Sequence, residues 1–499
     1  MASDKNQSEP IKGSIKKNVA LNTFYEILSI VLPFITAPYV SRVIGTEGVG
    51  IYSYTHSYQT FFAMLATLGT ISYGTREISR ARNDAHLRSR LFWEIELLTV
   101  GTTFACILMW LVFTFIAGDD RIYYLVLTMG LLNSAFDIHW FFSGLEQFQY
   151  QVKLNTIFRL AGVVLLFVLI HDSSDLLLYI ILMTAVNVLS SLSMWIYLPR
   201  FLVKVNFREL RIRRHFRQTL IYFIPNAATS IYTVLDKSLI QFITHDAYQN
   251  GYYEQATKII NMVKALTFSS LNVVLGSRIS YLFKEQRFDE IRSRIADSIH
   301  YILFMGIGCC LGIIGVARRF VPLFFGPGYD GSIILLQMLS PVVIIIGISN
   351  CLGTHYYTPA GLRKQSASYI VAGAVVNLVM NLLLIPRFAG AGAVAGTLVA
   401  ETTITVLYLT HCSGYLTFRQ ILLSAWKKLA AGAVMLLFIM AADRMIRSSL
   451  LAVAVSVAGG AALYMLTLIL LRDTFVTDFL IHRILGSFMR RIKKRVRKP

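Results

Sequence analysis

Residues 220–283 read LIYFIPNAATSIYTVLDKSLIQFITHDAYQNGYYEQATKIINMVKALTFSSLNVVLGSRISYLF. The stretch is apolar enough to insert as two membrane-crossing helices, the seventh and eighth of the chain. It nevertheless carries Asp236, Lys237, Glu254, Lys258, Lys264 and Arg278. A charge near the centre of a spanning helix costs roughly 2.5–3.5 kcal/mol. Such side chains turn toward a partner, a water-filled cavity or a ligand. Lys264 lies near the midpoint of its helix. Its neighbours one turn away, Ile260, Asn261, Thr267 and Phe268, include no acid for an i,i+4 pair. Another helix or a bound anion has to compensate it.

The rest of the chain is written for the same solvent. It has 499 residues, 55% hydrophobic and 15% charged, with a mean hydropathy of +0.59. That composition excludes a soluble domain and indicates a polytopic membrane protein. Residues 1–18 are polar and the first apolar stretch has a span's length without a cleavage site, so no secretory signal is expected. With fourteen spans and both termini cytoplasmic, 36 of the 47 Lys and Arg fall inside. Arg42, Arg121, Arg318, Arg319, Arg387, Arg444 and Arg447 fall outside, and four lie within spans. This is the positive-inside asymmetry. The net charge of +20 and the basic tail therefore point to anionic lipid head groups and not to nucleic acid. Cys106, Cys309, Cys310, Cys351 and Cys412 lack the spacing of a disulfide framework or a metal site.

The fold class expected is all-α: about fourteen transmembrane helices, with two six-helix bundles in parallel repeat around a central cavity and two peripheral C-terminal helices. The expected boundaries are a cytoplasmic tail at 1–18, an N-terminal bundle at 19–198 and a basic cytoplasmic linker at 199–219. A C-terminal bundle at 220–410, accessory helices at 421–471 and a basic tail at 472–499 complete the chain. Span one, 19–40, contains Pro33 and Pro38, which should kink it, and a short outer loop at 41–50 should join it to span two. The repeat shows in Gly50-Ile51-Tyr52 against Gly251-Tyr252-Tyr253. It shows again in Gly74-Thr75-Arg76-Glu77-Ile78-Ser79 against Gly276-Ser277-Arg278-Ile279-Ser280. Both matched helices run inward, the plan of many secondary transporters.

No P-loop, His-Glu-x-x-His, Cys-x-x-Cys or Gly-x-Ser-x-Gly occurs, so neither nucleotide-driven transport nor a familiar hydrolase is indicated. Polar stripes carry the signal instead. Asn22, Glu26, Ser29 and Pro33 share one side of span one; Tyr52, His56 and Gln59 share one side of span two. Glu254, Lys258, Asn261 and Asn272 share a face of span eight, with Lys264 about 80° from it. Each has a plain structural alternative. Glu254 and Lys258 form a favourable i,i+4 pair, Arg278 can snorkel to head groups, and His139 beside Asp137 is either a proton site or a packing residue. Glu26 and Glu401 are the acids placed to neutralise Lys264 or to carry a coupling proton or sodium ion.

Arg42-Val43-Ile44-Gly45 with Glu47-Gly48-Val49-Gly50-Ile51-Tyr52 resembles the first-loop signature of polysaccharide-biosynthesis exporters. Leu235-Asp236-Lys237, followed by Gly251-Tyr252-Tyr253 and Ala256-Thr257-Lys258-Ile259, looks like their second-half signature. Pro386-Arg387-Phe388-Ala389-Gly390-Ala391-Gly392-Ala393 resembles the turn before their twelfth helix. Gln241 departs from the pattern, which usually has glycine there. Over about residues 12–475 the chain is similar to the oligosaccharide flippase (O-antigen transporter) branch of the multidrug/oligosaccharidyl-lipid/polysaccharide exporter superfamily. The resemblance implies a bacterial cytoplasmic-membrane transporter, not an enzyme. Its substrate would be an oligosaccharide on a polyprenyl pyrophosphate, moved from inner to outer leaflet for O-antigen, capsule or exopolysaccharide synthesis, with polymerase or glycosyltransferase partners.

A diphosphate needs fixed cations once it leaves water. Lys264, Lys258, Lys237, Arg278 and Arg42 are the candidates. Glu26, Asp236, Glu254, Glu401 and Asp137 are candidate cavity acids for ion coupling. Tyr25, Tyr52, Gln59, Asn22, Asn261 and Asn272 are candidate sugar contacts. No metal or organic cofactor is expected. The alternatives are a peptidoglycan-precursor lipid flippase, an ion-coupled multidrug exporter of the same fold, or, from another class, a membrane-embedded glycan polymerase. The last would need a large catalytic loop, and the outer loops are short.

Overall fold

A computed structural model describes residues 15–116 and 118–477. The side chains of 15–23, 26, 119, 224–226, 228, 229, 231–233, 269–278 and 280 lie outside that description. Among the described residues there are helices and turns and no strand. Helices satisfy every backbone hydrogen bond internally, which lipid demands. Eleven helical stretches are long and apolar enough to cross a membrane, the first of them, Ile27–Ala81, long enough for two crossings. The two charge-bearing helices at 213–284 complete a fourteen-span chain.

The chain divides into two compact units, residues 1–238 and 239–499. In the first unit α1 (Ile15–Thr67) is followed by α2 (Thr70–Ala81), α3 (Ala85–Ile116) and α4 (Arg121–Phe136). Then come α5 (His139–Gly144), α6 (Phe148–Leu169), α7 (Leu176–Trp195) and most of α8 (Arg213–Thr244). The division falls inside α8, whose earlier part packs on α1 and α2. There Ser57 Oγ donates to Val234 O at 2.6 Å and Tyr58 Oη to Ser238 O at 3.1 Å.

The expected loop at 41–50 is not a loop. Helix runs through it, and the dihedral break in α1 comes at Gly45 (φ 75°, ψ 175°), not at Pro33 or Pro38. Positive φ costs glycine nothing, so a one-residue joint replaces the loop. Span five begins at Phe148 and span four is split, because α4 stops before Asp137 and α5 restarts at His139. One end of the unit is an aromatic core of Phe92, Trp140, Phe141 and Phe142 with Tyr150, Trp195 and Phe201 against it. Outward-facing Phe104, Phe115 and Ile116 are exposed, as lipid-facing residues should be.

The linker at 199–219 is mostly exposed but is tied to the unit at a few buried points. Glu94 on α3, fully buried, accepts from Arg90 Nε (3.0 Å), Arg211 N (2.7 Å) and Arg214 Nη2 (2.5 Å), and lies 2.7 Å from His215 Nε2. Tyr73 Oη meets the other ring nitrogen of His215 at 2.7 Å. Arg88 grips Phe201 O through Nε and Nη2. Burial pulls the His215 imidazole below its ordinary value, with Glu94 pulling the other way.

The second unit holds α9 (Ala247–Lys284), α10 (Phe288–Phe325), α11 (Asp330–Leu339), α12 (Val342–Leu352) and α13 (Arg363–Phe388). It ends with α14 (Gly390–Thr410), α15 (Phe418–Met445) and α16 (Ser449–Leu470). A π-helical turn at Gly353–Tyr357 continues α12. The two accessory helices, α15 and α16, pack on α10. They are less purely apolar inside than their sequence suggests. Lys428, expected among the cytoplasmic charges, is fully buried and its Nζ lies 2.8 Å from Asp473 Oδ2.

Candidate functional site

Among the described residues, two of the cavities in the first unit adjoin one another. The first, about 420 Å³, is walled by α1, α4, α7 and α8. Tyr52, His56, Gln59 and Thr60 come from α1, Asn133 from α4, and Thr184 and Asn187 from α7. The Tyr52 ring meets Tyr179 edge-on at 5.0 Å, which fixes its aim. Gly130 faces the Gln59 amide so closely that a Cβ there would stand 3.0 Å from Nε2. The lining mixes amide, hydroxyl and aromatic groups with apolar side chains and the Asp137 carboxylate. It presents no lysine or arginine among the described residues. Such a surface exchanges hydrogen bonds with hydroxyl-rich rings and stacks on their apolar faces.

The second cavity, about 460 Å³, is lined by Tyr25, Asp137, His139, Asn155, Arg159 and Ser190, among others. Arg159 lies over the Tyr25 ring at 4.8 Å and donates to Ser29 Oγ at 2.8 Å. His139 bridges two elements: its Nδ1 pairs with Asp137 and its Nε2 lies about 3 Å from the Asn155 amide. Ser190 Oγ donates to Asn155 Oδ1 at 2.7 Å, tying α7 into the network. Asn133, Asp137 and Asn187 line both cavities and so form the wall between them.

The cations expected at the site divide between the units. Asp236, buried, and Lys237 stand near the end of the first unit; Arg42, also there, is exposed on α1. Lys258 and Lys264 stand on α9 in the second unit. Lys258 is not a bare charge: its Nζ lies 3.6 Å from Glu254, the local i,i+4 pair. Lys264 is half-buried, and no carboxylate among the described residues lies within ion-pair distance of it. The field of Glu401, buried on α14, reaches it. Asn261 is exposed one turn before Lys264. The side chains of Asn22, Glu26, Asn272 and Arg278 lie outside the described residues.

Of the expected sugar contacts, Tyr52 and Gln59 share the first cavity, and Tyr25 lines the second. Asp137 is common to both. Sequence reasoning passed over Asn133, Asn155, Asn187, Arg159 and Glu96. For all but Glu96 a signal was present: Asn133 with Asp137, Asn155 with Arg159, and Asn187 with Ser191 are polar i,i+4 pairs inside apolar helices.

Residues 15–276 match the family model described as "Polysaccharide biosynthesis protein". The chain is 21% identical over 403 residues to a candidate O-antigen transporter of Escherichia coli (strain K12), covering 80% of this chain and 96% of that one. It is 24% identical over 405 residues to a like-named protein of Shigella dysenteriae, covering 79% and 99%. Among solved structures the fold matches the lipid II flippase MurJ in an inward closed conformation. The TM-score is 0.72 at 15% identity, over 92% of this chain and 99% of that one.

Proposed function

The chain belongs to the polysaccharide biosynthesis protein family, and from that premise we propose that it moves a polyprenyl-pyrophosphate-linked oligosaccharide from the inner to the outer leaflet of the bacterial cytoplasmic membrane. One observation carries the reading: a cavity of about 420 Å³ inside a membrane-spanning bundle is lined by Tyr52, Gln59, Asn133 and Asn187 and by no lysine or arginine among the described residues. Amides and hydroxyls that face a cavity inside a membrane bundle suit the passage of something polar. A lining of amides, hydroxyls and rings suits sugar. Lys264 of the second unit is the cation proposed to meet the diphosphate, while the prenyl chain stays in lipid. Alternating access of the two units, with no nucleotide site, completes the cycle.

The test is genetic and chemical. A deletion strain should accumulate the lipid-linked glycan in the inner leaflet and lose surface polysaccharide. Lys264→Ala should reproduce that defect at normal membrane abundance, and Lys264→Arg should restore part of it. One charge-assisted contact of about 1.5–3 kcal/mol corresponds to a loss of roughly ten- to a hundredfold. Wild-type transport by Lys264→Ala excludes the assignment of that cation.

A further inference from the structure

The wall between the two cavities of the first unit carries more chemistry than sugar binding requires. Helix α4 ends at Phe136, Asp137 is extended (φ −79°, ψ 95°), and α5 restarts at His139. The break is held by Asp137 itself. Its Oδ1 accepts the His139 backbone N–H at 2.9 Å and also pairs with the ring Nδ1. Behind this pair, on α3, lies Glu96, 2% exposed, approached by the Trp140 side chain from α5 and by no basic group among the described residues. The charge of Asp137 acts directly on it. Asn133 Oδ1, one turn before Asp137, is a buried acceptor without a donor among the described residues.

An ionised carboxylate so placed costs several kcal/mol, and a second negative charge beside it raises the cost. A bound proton removes that charge. Among the described residues no group of three or more His, Cys, Asp and Glu is arranged to hold a metal ion. The other elements around the break are neutral or one-sided. From α6 come Asn155, bonded to the ring, Gln151, which donates to His139 O, and Arg159, whose charge acts on His139. From α7 comes Ser190, and α2 meets α5 through Gly74 and Thr75.

We infer that Glu96 and the Asp137–His139 pair form a proton-carrying site at the α4–α5 break, which couples a proton gradient to transport. Asp137 borders both cavities and so exchanges with water on either side of the wall; Glu96 is the dry member of the set. One O–H bond forms when a proton arrives from one cavity and breaks when it leaves to the other, and no further reactant is consumed. The inference rests on the transport reading above and supplies its energy source.

The full chain in lipid nanodiscs should show a protonated-carboxyl band in acid-minus-alkaline infrared difference spectra. That band shifts in D₂O, disappears in Glu96→Gln and moves in Asp137→Asn. In proteoliposomes carrying a fluorescent polyprenyl-diphosphate disaccharide, an imposed pH gradient should change wild-type flipping roughly tenfold. In Glu96→Gln the ratio with and without the gradient should fall to near one. Wild-type flipping with an unaltered band and an unaltered ratio in Glu96→Gln overturns the proton site alone. If the wild type fails to flip the probe, the transport reading fails, and the band by itself still decides whether Glu96 binds a proton.

Discussion

Replacing Lys428 by Met tests the packing of the accessory helices most directly. Lys428 is fully buried and Asp473 is 2% exposed. The Lys428 ammonium donates to Asp473 Oδ2 at 2.8 Å and to Ser424 O at 2.9 Å, with His300 Nδ1 at 3.5 Å. Asp473 in turn caps the backbone N–H of Phe475 at 3.1 Å. Methionine keeps the stem's volume but strands the carboxylate, whose remaining donors are backbone amides. Removing one member of such a pair costs about 3–5 kcal/mol, whereas neutralising both costs far less. Lys428→Met and Asp473→Asn should each lower the melting temperature in detergent markedly. The double variant should recover most of the loss, giving a coupling energy of about 2 kcal/mol or more. Because heat unfolding of such proteins is often irreversible, the cycle should be repeated on inactivation rates at fixed temperature. Additive single losses, or singles within about 0.5 kcal/mol of wild type, contradict the argument that burial makes this pair matter.

Three further outcomes follow from the geometry. Gly130→Ala places a methyl 3.0 Å from the Gln59 amide nitrogen, so glycan flipping should fall up to about tenfold while the melting temperature hardly moves; a full-speed variant removes Gln59 from the sugar path. Gly74→Ala drives its Cβ to 2.4 Å from the Trp140 ring and should destabilise the first unit by about 1–3 kcal/mol, read as loss of folded protein in detergent. Burial lowers the pKa of His215, so folding favours its neutral form. Its contribution to stability is present above pH 6.5 and is lost as pH falls below that value. Acid sensitivity between pH 7 and 5 should therefore shrink in His215→Gln, and an unchanged difference between the two proteins rejects the assignment.

Composition and periodicity were enough for the class. A mean hydropathy of +0.59 and helix-length apolar runs leave no other solvent than lipid, and the motifs around Gly50 and Gly251 carried the family. The tyrosine and glutamine of span two were legible because they share a helical face, and they do line one cavity. Lys258 and Glu254 were legible as a pair for the same local reason. Glu94 and Glu96 were not: each lies on a helix whose apolar neighbours disguise it, and its surroundings come from segments distant in the chain. Arg211 and His215 reach Glu94 from well over a hundred residues away. Gly45 shows the same limit at shorter range. A glycine among polar residues reads as a loop, yet a single positive φ lets helix continue on both sides.

What the residues alone determine is what each segment can tolerate: lipid, a helical backbone, a charge near mid-membrane. Those are properties of one helix and its neighbours three and four residues away, and they hold wherever the helix is placed. Which charges are answered is decided only by packing. Lys428 finds Asp473, Glu94 finds Arg214, and Glu96 meets the charge of Asp137, because distance in space and not along the chain sets the cost of a buried charge.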